Sequence, residues 1–165
     1  MEKILIDGYN LLYKDGVLKN LAERSLEEAR EELLDRIAAY RTAEMEILVV
    51  FDGQGARDRR NPPGRPGIQV RFSRGPRTAD QVILEIIERE PKRGSLSVVT
   101  SDKKDIGRVA RAEGVRWISS ETFLRRLKRI GPKGVRRHEE KPATSSSEEL
   151  EYWLKRFGSD PKDAD

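Results

Sequence analysis

Three apolar runs in this chain each end on an aspartate: Ile4-Leu5-Ile6-Asp7, Leu48-Val49-Val50-Phe51-Asp52 and Val98-Val99-Thr100-Ser101-Asp102. Short β-branched runs of this kind are typical of strands buried on both faces, so the acids fall just beyond strand C-terminal ends. In an open α/β sheet those ends form the rim of the ligand crevice. Three carboxylates on one rim repel one another, and a bound divalent cation relieves that repulsion. Two more acids extend the set. Asp80 lies in the first turn of an expected helix, where the macrodipole favours negative charge. Asp105 follows Asp102 by three residues, a spacing that puts both on one side of a helix. Each acid alone has an ordinary role: Asp7-Gly8 and Asp52-Gly53 as turns, Asp80 as a dipole partner, Asp102 as an N-cap, Asp105 as a solvated helix residue. Five around one rim favour a metal site.

Carboxylates are hard oxygen ligands, which suits Mg²⁺ or Mn²⁺ better than zinc. The chain has one histidine, His138, and no cysteine. Two-histidine acid–base cleavage of RNA, a histidine-dependent serine triad and Cys–His chemistry are therefore excluded. What remains is a metal-activated water attacking a phosphodiester, with the cation stabilising developing charge. Other phosphate chemistries fit less well. Asp7-Gly8-Tyr9-Asn10 follows the first strand instead of a G-x-G-x-x-G turn, and there is no G-x-x-x-x-G-K-[ST]. An aspartyl-phosphate phosphatase would carry a second aspartate where Tyr9 stands.

The charge distribution points to a polyanion. The formal net charge is +4, and 38% of the residues are charged. Seven arginines face two acids between Gly53 and Asp80, and twelve basic residues face three acids between Lys103 and Arg137. Residues 21–46 and the tail after His138 lean acidic instead. Segregation of this kind suits a nucleic acid contacted by one face. No apolar stretch approaches a membrane span and no signal-peptide pattern opens the chain, so a soluble cytoplasmic protein is expected.

The elements that must position the acids follow from periodicity. Strands are expected at residues 3–6, 46–51, 68–72, 96–100 and 115–118, the third alternating like an edge strand. Residues 7–25 read as a loop with polar breaks. A helix over 26–43 opens on Ser25 with Glu28 and buries Leu26, Ala29, Leu33, Leu34, Ile37 and Ala38. Thr78 and Gln81 form a second capping pattern ahead of a helix over 79–89. Ser101 or Asp102 is expected to cap a helix that Gly114 ends, and a basic helix covers 121–129. Strands alternating with helices predict a three-layer α/β domain with a mainly parallel five-stranded sheet over residues 1–130. Residues 53–67 read as a mobile basic loop and 131–147 as a linker. Residues 148–158 read as a short amphipathic helix that docks in cis or on a protein partner, and 159–165 as a disordered tail.

Asp7-Gly8-Tyr9-Asn10, Val50-Phe51-Asp52, Thr78-Ala79-Asp80 and Thr100-Ser101-Asp102 together resemble the NYN-domain family of YacP-like nucleases, a branch of the PIN-like superfamily. The resemblance covers about residues 1–130. It implies a Rossmann-like PIN fold and metal-dependent endoribonuclease activity, with ribosome-associated messenger RNA as one substrate. It also implies Asp7, Asp80 and Asp102 as principal metal-binding carboxylates, completed by Asp105. Asn10 would orient a carboxylate or the attacking water, Asp52 would support the site, and Ser101 would hydrogen-bond Asp7 or a phosphate oxygen. RNA would run over Arg57, Arg59, Arg60, Arg74 and Arg77, and over Lys103, Lys104 and Arg108. Tyr9, Tyr13 and Phe72 are the aromatics placed to stack bases. Two alternatives stand beside this one: a catalytically weak RNA- or ribosome-binding module on the same fold, and a hydrolase of small phosphate esters.

Overall fold

The computed structural model describes residues 1–53 and 64–130 of the chain. The proposed linker, C-terminal helix and tail, His138, and Arg57, Arg59 and Arg60 lie outside the described residues. The strands are β1 (Glu2–Asp7), β2 (Met45–Phe51), β3 (Ile68–Phe72), β4 (Leu96–Val99) and β5 (Arg116–Ile118). They form one sheet in the order β3-β2-β1-β4-β5, with every pairing parallel. The expected three-layer, five-stranded architecture is present, and β3 is indeed an edge.

Side-chain alternation divides the core between the two faces of the sheet. Ile4, Ile6, Val49, Phe51, Val70 and Phe72 pack on one face with Leu11, Leu12, Leu33, Ile37 and Phe123. Leu5, Val50, Leu96 and Val98 pack on the other with Val82, Ile83, Ile87 and Ile106. Burial on both faces explains why β1 reads as an unbroken apolar run.

Residues 7–25 depart from the expected loop. They form two short helices, α1 (Gly8–Lys14) and α2 (Gly16–Arg24), ahead of α3 (Leu26–Tyr40). Each is about two turns long, too short for a periodic pattern to stand out. Their stability comes from burying Leu11, Leu12 and Leu18. Asp15 is the break between them: its carboxylate accepts from the Leu18 N–H at 2.9 Å and so caps α2. The same carboxylate meets Arg36 of α3 at 3.4 Å, with side chains only 2% and 6% exposed. Ser25 caps α3 through the Glu28 N–H.

On the opposite face, α4 (Ala79–Arg89) opens on a complete capping box between Thr78 and Gln81, as its sequence predicted. The next helix starts later than expected. Asp102 accepts from the Asp105 N–H at 2.9 Å and closes a turn, so α5 runs only over Ile106–Ala112 with Asp105 at its N-cap position. Asp102 thus makes the capping bond expected of it, to the N–H three residues on, while the regular helix begins only at Ile106. Gly114, at φ +75°, ends α5, and α6 (Ser120–Lys128) completes the domain. No helix among the described residues is long and apolar enough to cross a membrane.

Candidate active site

The chain moves outward from β1 to β2 and β3, then returns to the other side of β1 for β4 and β5. The topological switch point therefore lies between β1 and β4, where α/β sheets bind ligands beyond their strand ends. Asp7 is the last residue of β1, and Asp102 follows β4 by three positions. Both occupy this crevice.

Asp7 is only 8% exposed. The Thr100 hydroxyl donates to its Oδ2 at 3.2 Å. The same Oγ1 accepts from the Asp102 N–H at 3.2 Å, so one buried hydroxyl ties the two acids together. Thr100 is held in turn by Trp117, whose indole N–H donates to the Thr100 carbonyl at 3.0 Å. Asn10, in the first turn of α1, is fixed by three donors. The Ser101 N–H (2.9 Å), the Ser101 hydroxyl (2.6 Å) and the Ser120 hydroxyl (2.6 Å) all reach its Oδ1. Three donors thus converge on one amide oxygen.

These contacts rule out one of the two roles expected of Ser101. Ser101 does not bond Asp7; its hydroxyl and its N–H both go to Asn10, and Thr100 bonds Asp7 instead. Successive residues leaving a strand point to opposite sides, so only one of the pair can face Asp7. Thr100 and Ser120 were missed for the same reason: neither type is distinctive until the strand ends are brought together.

Two glycines allow the acids to sit where they do. A Cβ on Gly8 would run into the Phe51 ring, and one on Gly53 would strike the Ser73 carbonyl. The Asp-Gly pairs serve close backbone approach here and not positive φ. Buried Ser73 accepts from the Gly53 N–H at 3.0 Å and lies 3.4 Å from Asp52 Oδ1, so Asp52 is held at the β2/β3 side of the rim.

The electrostatics join all five acids. Burial, more than any other cause, raises the Asp7 carboxyl from 3.8 to about 6. Asp80 and Asp102 raise it further, and the Thr100 hydroxyl and the Asn10 backbone N–H partly offset them. Asp80 is pushed up by burial, then by Asp102, Asp52 and Asp105. Asp80 is thus the acid coupled to the other four, although it ends no strand. No basic side chain among the described residues is set against Asp7. Equally, no three acids among the described residues are drawn close enough together to hold a metal ion as they stand.

Of the expected RNA-binding residues within the described chain, Arg74, Lys103, Lys104 and Arg108 are exposed. Arg77 is paired with Glu85. Arg65, part of the basic run, is occupied by Glu31 and Asp35 at 2.7 and 2.9 Å and ties its segment to α3. Phe72 cannot stack a base: it is 6% exposed, packed 5.7 Å from Phe51, with the Arg30 guanidinium over its ring. Tyr9 packs on Phe51 at 4.9 Å and accepts from Arg30, whereas Tyr13 stays open at 48% exposure.

The family model for the YacP-like NYN domain matches residues 4–158. The chain belongs to this family. The match runs beyond residue 130 and takes in the segment expected to be linker and terminal helix. Uncharacterized protein YacP of Bacillus subtilis is 30% identical over 89 residues, covering 53% of this chain and 52% of that protein. The chain thus spans about half the length of this curated relative. The crystal structure of Rae1 (YacP) from Bacillus subtilis superposes with a TM-score of 0.66 at 27% identity, over 78% of this chain and 74% of that one. A mutant of the same protein gives 0.62 at 28% identity, over 78% and 76%. Family and fold make the chain a YacP-like NYN module. The four motifs that carried the resemblance all border the β1/β4 crevice or its β2 flank.

Proposed function

We infer that this NYN domain is a metal-dependent endoribonuclease centred on the carboxylate rim at the β1/β4 switch point. One observation carries it: Asp7 is buried, pressed by Asp80 and Asp102, and has no basic counterion among the described residues. A buried carboxylate left ionised without a counterion is costly, and a bound cation removes that cost. Hard oxygen donors and mutual repulsion both fit Mg²⁺ or Mn²⁺. Asp7, Asp80 and Asp102 would hold it, with Asp105 and Asp52 at the margin. Such an ion supplies an activated water and offsets charge on the phosphoryl group.

The protein's own groups set the rest. Thr100 keeps Asp7 and Asp102 in register, and Asn10 presents its NH₂ as a neutral donor beside them. Lys103 and Lys104 follow Asp102 directly, and with Arg108 on α5 they give the backbone of an RNA a positive landing on that side. With Tyr13 the one exposed aromatic among the described residues, binding is dominated by phosphate contacts, so the choice of cut site falls to RNA shape or presentation, including on the ribosome.

The wide setting of the acids favours a second reading, an RNA-binding module with weak or no catalysis. The experiment is cleavage of single-stranded RNA, free and ribosome-bound, with Mn²⁺, with EDTA, and with Asp7→Asn. Cutting should require both the metal and Asp7. Cutting that survives EDTA and Asp7→Asn sinks the metal centre. Tight binding without cleavage on either substrate selects the second reading.

A further inference from the structure

The edge strand β3 carries a cleft that the carboxylate rim does not explain. Helix α4 packs chiefly over β1 and β2, which leaves the outer part of that face, beyond β2, uncovered by the other described elements. A cavity of about 530 Å³ opens there between β3 and α4. A bare edge of this kind is normally closed by apolar packing or blunted by charge. Here the lining includes four arginines: Arg71 on β3, Arg74 and Arg77 after it, and Arg89 on α4. Glu85, also in the lining, pairs with Arg77 and Arg89, at 2.8 Å in the second case. Lys3 pairs with Glu90 at 3.0 Å and neutralises the other acid. Arg71 and Arg74 are exposed and have no ion pair among the described residues. The cleft is therefore net positive, with two guanidinium groups uncommitted.

Its position relative to the acids gives the surplus charge a direction. Ser73 lies in the cleft wall and also contacts Asp52 and Gly53 at the rim. Asp80 occupies the first turn of α4, so that helix leads from the rim down the cleft. Its 11 residues span about 16 Å, room for more than one phosphate. Free arginine forks are suited to phosphate oxygens, which they bind through paired hydrogen bonds.

We propose that the β3/α4 cleft binds the phosphodiester backbone of the RNA flank that leaves the carboxylate rim on the β3 side, with Arg71 and Arg74 as its phosphate ligands. It takes from the nuclease reading only the identity of the polyanion, single-stranded RNA. Lys103, Lys104 and Arg108 serve the opposite flank, so the substrate crosses the strand ends with a basic surface on each side.

The test is equilibrium binding of a labelled oligouridylate to the full chain in EDTA, across a salt series. The paired variant Arg71→Gln/Arg74→Gln is compared with Arg93→Gln/Arg116→Gln, which removes the same charge at the other end of the sheet. Losing two phosphate contacts should lower the log–log salt slope by about 1.4 and weaken binding roughly tenfold at moderate salt. The control pair should change the slope far less, and all variants should melt like wild type. An equal effect of the control pair overturns the assignment, as does an unchanged slope in the cleft variant. Absence of oligouridylate binding by wild type, or tighter capture of polyglutamate, also overturns it. If the cleft variant loses slope while wild type never cuts RNA with Mn²⁺, the cleft stands and the nuclease reading fails.

Discussion

Replacing Asp7 by asparagine should stabilise the metal-free protein at neutral and alkaline pH. The Asp7 carboxyl is raised from 3.8 to about 6, chiefly by burial and then by Asp80 and Asp102. Between those two values the folded chain holds a proton that the unfolded chain has released, so stability falls as pH rises through the window. Above pH 6 the full cost of the buried charge is present, on the order of 3 kcal/mol for a displacement of this size. The substituted amide would carry no charge and could still accept from the Thr100 hydroxyl. The variant should therefore gain about 1–3 kcal/mol at pH 8, or roughly 2–10 °C in Tm for a chain of this length. The difference should shrink towards zero by pH 4, where both proteins are neutral at this position. The assay is urea and thermal denaturation by circular dichroism in EDTA from pH 4 to 8. Adding Mg²⁺ or Mn²⁺ should then stabilise wild type more than the variant, and cation binding to wild type should weaken below pH 6. A variant that is less stable at pH 8, or an advantage that grows on acidification, would refute the electrostatic argument.

Two further substitutions probe the supports of the site. Thr100→Val removes the hydroxyl shared by Asp7 and the Asp102 N–H while nearly preserving volume. It should cost about 1–3 kcal/mol by urea denaturation and reduce Mn²⁺ affinity measured by calorimetry; a neutral result on both would show that the hydroxyl does not organise the acids. Arg36→Met leaves the Asp15 carboxylate buried without its partner. A loss of about 3–5 kcal/mol is expected in wild-type buffer, restored in large part by pairing it with Asp15→Asn, which keeps a cap for α2. Absence of that rescue would mean that Arg36 acts through packing alone.

Much of this protein was legible in its sequence because its strongest signals are local. Unbroken β-branched runs marked the strands, since a strand covered on both faces has no polar side to interrupt it. Thr78 and Gln81 marked the start of α4, because a capping box is a contact between residues three apart. The aspartates that end β1 and β2 and follow β4 were visible for the same reason, and with the four motifs they were enough to place the family. After Asp102 the expected capping bond to the Asp105 N–H is present, but the regular helix α5 begins only at Ile106. Helices α1 and α2 escaped because two turns bury too few residues to set up a period; they are held by Leu11, Leu12 and Leu18 in the shared core, and α2 also by the Asp15–Arg36 pair.

What only the tertiary structure decided is which of the acids work together and what holds them. The order β3-β2-β1-β4-β5 brings Asp7 beside Asp102, ninety-five positions away in sequence. It makes Asp80 the acid coupled to all the others. It gives Thr100, Ser120 and Ser73 their roles through hydrogen bonds that no spacing encodes. It also separates arginines that look alike in the chain: Arg65 is occupied by α3, Arg77 by Glu85, and Arg71 and Arg74 are left facing an open cleft. Composition fixes how much charge a chain carries. The packing of helices on a sheet fixes which charges meet a partner inside the molecule and which are left for one outside it.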